Sequence, residues 1–399
     1  MVEMVGYDGF PLSIAGDFYE LLVTLASGGK SAADQAEAVR SAFGGADVVQ
    51  TASRDDGAVL VQLKFASGLA PERLELAKGL AGVSDVSYLE PVLPIHSRAD
   101  CRVPFLTAEE LLRYVDSDDD KRAMWSLAAL YESKRGGISE DEVYAKMSDL
   151  VTIMENCADE GLRGTEYSDR ILGRQSDRID GAAARLLPCG ILNAAIKYIT
   201  AIMEVKSSMG VIVAAPTAGS CGCLPGVLIG AGRTMGLTHE EITRGMLAAG
   251  LIGVFIAEEA TFAAEVAGCQ VECGAGSGMA AAGLVQLMGG TPSECVSAAS
   301  MALQNITGLA CDPVANRVEV PCLGKNVMGG GNAVASANMA LAGYDKVIPL
   351  DQTIAAMYDA GLKLPLELRC TFGGLGKTPS SLAIRQKLAA QKKEPRPSR

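Results

Sequence analysis

The chain has 399 residues, 49% of them hydrophobic but only 5% aromatic, with a formal net charge of -12. That length can bury a large core, and the charge excludes nucleic acid as a partner because phosphates would be repelled. The longest apolar stretch, Met246 to Val266, is broken by Glu258, Glu259 and Glu265. A spanning helix needs roughly twenty apolar residues, so no membrane partner is expected. With Glu3 and Asp8 and no basic stretch at the N-terminus, a secretory signal is not expected either, and the reading is of a cytoplasmic protein.

In chain order, residues 1 to about 100 have a mixed α/β pattern. Val61 to Phe65 alternates as a strand, Pro71 to Leu80 has helical character, and Val83 to Leu89 reads as another strand. Such a strand–helix–strand unit suits a small regulatory or docking domain. Pro91 to Pro104 resembles a linker. Beyond it the pattern is helical almost throughout. Thr107-x-x-Glu110 and Thr238-x-x-Glu241 are capping boxes, and Thr291-Pro292-Ser293-Glu294 is a third with proline at the first helical position. Further helices are expected over roughly 120–160, 180–207, 275–288, 333–342, 351–361 and 379–391. The charged residues 392–399 are expected to be a disordered tail. The fold class is therefore mainly α, a large helical domain over 105–391 with a small N-terminal α/β domain over 1–100.

Three intervening segments are poor in bulky side chains: Ala215 to Pro225, Gly268 to Gly274, and Cys311 to Cys322 running on to Gly329-Gly330-Gly331. They read as loops that let backbone approach a guest closely. Most of the chemistry is in the cysteines, of which there are 11 against two histidines, His96 and His239. In a reducing compartment these are not expected to form disulfides. Cys157, Cys189 and Cys295 lie in helix-like apolar patterns and read as packing thiols. The Cys221-Gly222-Cys223 pair is too close for structural zinc, and Cys269-x-x-x-Cys273 lacks a second half. Isolated cysteines in separate loops fit an iron–sulfur cluster with one open iron, though spacing alone carries little weight.

The run Cys311-Asp312-Pro313-Val314-Ala315 to Val318-Glu319-Val320-Pro321-Cys322 resembles the hallmark of the α chain of iron–sulfur-dependent L-serine dehydratases. Ala215 to Ser220, Gly268 to Gly274, Met279 to Leu284, Asn326 to Gly329 and Gly373 to Leu375 match the same family in order, so the likeness runs from about Phe105 to Lys387. It implies an oxygen-sensitive lyase of amino-acid degradation that binds a [4Fe-4S] cluster. The cluster ligands carry over to Cys269, Cys311 and Cys322, with Cys273 a neighbour. The open iron would polarise the serine hydroxyl while a base takes the α-proton. The resulting aminoacrylate tautomerises to an imine and hydrolyses to pyruvate and ammonia.

Thr217 and Ser220 are candidates to hold the substrate carboxylate, and equally to form a turn. Lys325, three residues beyond Cys322, is a candidate to neutralise that carboxylate or to act as base. Asn326 and Asn332 are candidate orienting contacts, and Glu272 could pair with the substrate amine or cap a helix.

Two departures from the family stand out. Its Ser-Ser-His-Thr-x-Gly-Pro-Met motif is absent from residues 1 to 100, where His96-Ser97 is a poor match. The usual Arg-Glu-Thr is here Arg369-Cys370-Thr371, with Gly376 in place of alanine. Either a separate β chain supplies that motif, or the chain has reorganised or lost the activity; the resemblance to the family also implies a β chain or a homodimer as the partner. A lyase acting on cysteine or threonine, or a non-catalytic iron–sulfur sensor or scaffold, remain the alternatives.

Overall fold

The computed structural model describes residues 19–26, 32–46, 48–53, 57–65, 67–89, 101–117, 121–167, 170–370 and 373–391. Most of the expected linker, all of the tail from Lys392, and His96 with Ser97 lie outside the described residues, as does the stretch carrying Glu3 and Asp8. Contacts divide the chain into two compact units, Met1–His96 and Ser97–Arg399. The architecture is mainly α with a small N-terminal α/β unit.

In the first unit the order is β1 (Tyr19–Leu25), α1 (Ala32–Ala42), β2 (Val48–Ser53), β3 (Val59–Phe65), α2 (Pro71–Gly79) and β4 (Val83–Leu89). The strand–helix–strand expected from sequence is thus the second half of a βαββαβ unit. Its antiparallel sheet has the order β2-β3-β1-β4, the split arrangement in which each helix crosses between non-adjacent strands. Leu21, Val23 and Leu25 of β1 face the core with Val61, Leu63 and Phe65 of β3, Phe43 and Ala77. The alternation in β3 does not mark a solvent face, because Gln62 and Lys64 are buried too. The reason is cross-strand pairing: Glu20 lies opposite Lys64, meets it at 3.4 Å, and accepts a 2.7 Å hydrogen bond from Gln62. Buried charge is tolerated where it is paired.

The second unit is helical. It comprises α3 (Ala108–Ser117), α4 (Met124–Gly136), α5 (Glu140–Arg163), α6 (Arg178–Gly181), α7 (Gly190–Ser207), α8 (Cys223–Met235) and α9 (His239–Glu259). There follow α10 (Ala264–Ala267), α11 (Cys273–Leu287), α12 (Pro292–Ile306), α13 (Cys322–Leu341), α14 (Leu350–Leu362) and α15 (Pro379–Gln391). None of the described helices is long and apolar enough to cross a membrane. At its centre is α11, buried continuously from Cys273 to Val285 and flanked by α8, α9, α12 and α13. Small residues permit this. A Cβ on Gly283 would come within 2.7 Å of Leu228 Cδ1 and 3.0 Å of the Gly245 carbonyl, and one on Gly161 of α5 would run into the Ala201 carbonyl of α7.

The capping signals behave as their chemistry requires. Thr238 and Thr291 form complete boxes with Glu241 and Glu294. Thr107 accepts from the Glu110 N–H, whereas the Glu110 carboxylate reaches back to the Leu106 N–H rather than to Thr107.

Three expectations need correction. The helix expected over 120–160 is two helices, broken where Gly137 adopts φ 67°. The loop expected to end at Gly329-Gly330-Gly331 is helical from Cys322 onward, and these glycines are packing positions: a Cβ on Gly329 would lie 3.1 Å from Cys223 Sγ and 3.1 Å from the Cys273 carbonyl. Cys157 and Cys295 are buried as expected, but Cys189 is exposed, because it caps the start of α7 instead of lying within it.

Candidate metal centre

The three small-residue segments converge, and each is fixed by local hydrogen bonding. In the first, Thr217 and Ser220 close a turn: the Ser220 N–H donates to Thr217 Oγ1 at 3.2 Å, and the two hydroxyls are 3.1 Å apart. Such turns are the ordinary local use of Ser and Thr, and here they also aim the Thr217 hydroxyl at Glu272 Oε1, 2.8 Å away. Glu272 makes no side-chain cap on α11.

The second segment enters through Gly268 at φ 78°, where a Cβ would approach the Leu309 carbonyl to 2.9 Å. Gln270 then ties it to the third segment, donating its N–H to the Leu309 carbonyl at 3.2 Å and accepting from the Gly308 N–H at 2.7 Å. The third segment is pinned from the C-terminal side. The Cys311 N–H donates to the Leu368 carbonyl at 2.7 Å, and the Cys370 N–H donates to the Cys311 carbonyl at 2.8 Å.

Asn326, fully buried on α13, joins all three segments. Its Oδ1 accepts from the Cys223 N–H at 2.9 Å. Its Nδ2 donates to the Gly219 carbonyl at 2.9 Å, to the Cys322 carbonyl at 2.8 Å and toward Cys273 Sγ at 3.5 Å. Asn332 lies ten residues beyond Cys322, about 15 Å along the helix. Its amide bonds Ser277 of α11, Ala302 and Asn305 of α12, so it braces helices and is not brought to the centre with Asn326.

One sulfur each from Cys269 and Cys311 and one oxygen of Glu272 all lie within 4.8 Å of one another, a grouping able to hold a metal ion. Cys322, the first residue of α13, is buried, but its sulfur is not brought into that grouping; its thiol is pushed up to about 12 by burial, with the Cys269 charge adding to the rise. Hydrogen bonds from Cys273 and Cys311 hold the Cys269 thiol well below its ordinary range, against the opposing effect of burial. Of the thiols in the group, Cys269 is the one shifted toward ionisation. The carboxyl of Glu272 is pushed up to about 8, first by burial and then by the Cys269 charge.

Lys325 donates to Asp312 Oδ1 and to the Ala310 carbonyl, both at 2.6 Å. Burial works to lower its pKa, but the Asp312 bond and the Cys269 charge prevail and raise it. It stands as a cation, and Asp312 also receives the Leu375 N–H at 3.0 Å, drawing the Gly373–Leu375 motif into the same assembly.

Three residues here were not among the candidates drawn from the sequence, although Asp312 and Glu319 lie within the Cys311–Cys322 run. Asp312 adjoins a cysteine, and its pairing with Lys325 depends on α13 starting at Cys322. Glu319 is buried and accepts from Tyr167 OH at 3.1 Å, the Ile171 N–H at 3.0 Å and the Leu172 N–H at 3.1 Å. An acid within the apolar run Val318 to Val320 was its available sign. Lys206 donates to the Val318 carbonyl, and burial lowers its pKa although Cys221, Cys322 and Glu319 draw it back up. His239 is engaged elsewhere, between Ser148 and Glu155, at 2.8 Å from each.

The donor set suits a thiolate-bound metal. Soft sulfur ligands favour iron–sulfur or zinc centres, and the sulfurs are buried, converging and fixed by backbone hydrogen bonds. The sequence profile described as serine dehydratase alpha chain matches residues 93–375, well over half of the chain. The chain belongs to the serine dehydratase alpha chain family.

Among similar proteins, the probable L-serine dehydratase, alpha chain, of Bacillus subtilis is 37% identical over 253 residues, covering 63% of this chain and 84% of that protein. The alpha chain of L-serine dehydratase from Peptoniphilus asaccharolyticus is 34% identical over 290 residues, covering 70% of this chain and 97% of that one. The L-serine dehydratase of Streptomyces coelicolor is 31% identical over 281 residues, 68% of this chain but 60% of that protein. The family region thus contains all three converging segments together with Asn326, Lys325 and Gly373.

Proposed function

We propose that this chain is the catalytic chain of a cytoplasmic L-serine ammonia-lyase, converting L-serine to pyruvate and ammonia with a [4Fe-4S] cluster held by Cys269, Cys311 and Cys322. The observation that carries this reading is the meeting of Cys269, Cys311 and Glu272 within 4.8 Å, from segments far apart in the family-matched sequence. When bound, the cluster supplies Lewis acidity toward a hydroxyl leaving group.

The chain's own residues then do the rest. The Thr217–Ser220 turn offers hydroxyl and backbone donors to the substrate carboxylate, on the edge of the site bounded by Glu272. Lys325, kept protonated by Asp312, contributes positive charge and is not the proton acceptor. Asn326 positions the three segments without touching substrate, and Asn332 supports α13 from behind. A separate β chain completes the site with the motif that residues 1 to 100 lack. The relatives described as alpha chains support this division of labour.

The test is iron and acid-labile sulfide content after anaerobic purification, alongside pyruvate release from L-serine. Wild type should hold about four irons per chain, and exposure to air should remove iron and activity together. Cys311→Ser should lack both. Retention of a full complement of iron by Cys311→Ser would refute the ligand assignment. Release of 2-oxobutyrate from threonine, or of sulfide from cysteine, in preference to pyruvate from serine would reassign the substrate.

A further inference from the structure

Cys269 and Glu272 emerge together from one short turn. Cys269–Val271 is a 3-10 turn, closed by the Glu272 N–H donating to the Cys269 carbonyl at 3.1 Å. Side chains three residues apart eclipse in that geometry, so the spacing Cys269-x-x-Glu272 presents a sulfur and a carboxylate side by side. Cys311 meets them from the third segment, its backbone fixed at Leu368 and Cys370.

The three ligand atoms lie within 4.8 Å of one another. A zinc ion with bonds of about 2.3 Å to sulfur and about 2.1 Å to oxygen holds tetrahedral ligands about 3.6–3.8 Å apart. These donors therefore need to close only a little to share one ion. Cys322 stands outside the grouping, although a cluster with a thiolate on each of three irons requires it. Two donor sets thus overlap: Cys269 and Cys311 with Cys322 for a cluster, and the same pair with Glu272 for a single ion.

The surroundings supply what a zinc ligand set requires. Ligating carboxylates are oriented by hydrogen bonds from behind, and Thr217 Oγ1 donates to Glu272 Oε1 at 2.8 Å. Gly219 makes room for that carboxylate, since a Cβ there would stand 3.1 Å from Oε1. Cys269 and Cys311 are buried and Glu272 is half-buried. Charge is balanced as well. Two thiolates and a carboxylate around a divalent ion leave one negative charge, and the Lys325 ammonium, which feels both Cys269 and Cys311, offsets it.

We propose that Cys269, Glu272 and Cys311 form a mononuclear zinc site with one open coordination position, filled when the cluster is absent and excluding it while filled. Zinc binding stands by itself, whereas the exclusion rests on the cluster reading above. Zinc takes the place of the two thiol protons, and of the Glu272 proton where that carboxyl carries one. These protons pass to solvent, and no atom changes oxidation state. Zinc binds more tightly than ferrous iron to the same donors, so an ion held by Cys269 and Cys311 denies both to a cluster. Glu272 is the ligand that distinguishes the two occupants.

The experiment uses the full-length chain freed of iron by a chelator under argon, with circular dichroism to confirm equal helix content among variants. Zinc affinity is read by competition with a chromogenic chelator, and cobalt(II) serves as a spectroscopic stand-in. Wild type should bind about one zinc per chain, and its cobalt form should show tetrahedral absorption with charge-transfer intensity for two thiolates. Cys322→Ser should bind zinc as wild type does while failing to assemble a cluster from ferrous iron and sulfide. Thr217→Val should weaken zinc binding roughly tenfold. Glu272→Gln should weaken it further and still assemble the cluster. Unchanged zinc affinity in Glu272→Gln, or a three-thiolate cobalt spectrum in wild type, would overturn the proposal and leave the cluster reading intact. So would a full cluster assembled on zinc-loaded wild type without release of zinc. Zinc bound as expected by a wild type that never assembles a cluster would sink the cluster reading and leave the zinc site standing.

Discussion

Two sets of buried cysteines in the helical unit differ sharply although both are hidden from solvent. Cys157 on α5 and Cys295 on α12 are 3% and 0% exposed, and burial alone dominates their environment, pushing Cys157 up to about 12 and Cys295 upward as well. Cys269 and Cys311 are 2% and 4% exposed, yet hydrogen bonding among the neighbouring thiols draws Cys269 well below the usual thiol range and pushes Cys311 above it. Burial does not distinguish the groups. What does is the backbone beneath them: continuous helix in the first case, and in the second a positive-φ glycine, a parallel bridge and a helix start that turn several sulfurs toward one point. A thiol in helix packing behaves as a small hydrophobe, whereas converging thiols with a stabilised thiolate have the character of a ligand set.

The sharpest way to break that comparison is to delete one sulfur from each set. Cys269→Ala should abolish iron binding and lyase activity, because it removes the thiolate on which the group is built. The check is iron content by inductively coupled plasma mass spectrometry on anaerobically purified protein. If Cys269→Ala keeps its iron, the distinction between the two sets has no functional meaning.

The next largest effect is expected from Asn326→Leu, which keeps the approximate volume. It strands the Cys223 N–H and the Gly219 carbonyl. With each unsatisfied buried group costing about 1–3 kcal/mol, denaturant unfolding should show a loss of roughly 2–6 kcal/mol. Iron occupancy should fall in parallel, since the same side chain joins the three segments. Loss of stability with undiminished iron would mean that the ligand loops do not depend on this junction.

The legibility of these features in the sequence followed how local their causes are. Capping boxes at Thr238 and Thr291 are complete within four residues, and both appear as read. The mainly helical character was legible because apolar periodicity is local too. The ordered Cys-Asp-Pro and Val-Pro-Cys runs marked the segments that converge. Where helices begin was less accessible. The α13 helix takes in Gly329 to Gly331 because α7, α8 and α11 press against them, and glycine in a helix reads as loop until its neighbours are known. The pairings of Lys325 with Asp312, and of Glu272 with Thr217, join residues whose proximity is created by tertiary structure. Likewise, β3 reads as half-exposed because Glu20, the partner that lets Lys64 be buried, lies on another strand.

The smallest expected effect is the complement of the first. Cys295 lies on α12 beside Val296, Ala298 and Ala299 in the main core, and among its influences the carboxylate of Glu294 is secondary to burial. Cys295→Ala removes one sulfur atom from close-packed surroundings without leaving a polar group unpaired. The cost is a transfer and cavity term of about 1–2 kcal/mol, read as a modest shift of the denaturation midpoint at unchanged m. Iron content and pyruvate formation should match wild type. Were Cys295→Ala to lose iron while remaining folded, the helix-interior thiols would belong to the metal site after all, and backbone convergence would no longer separate ligands from packing sulfurs.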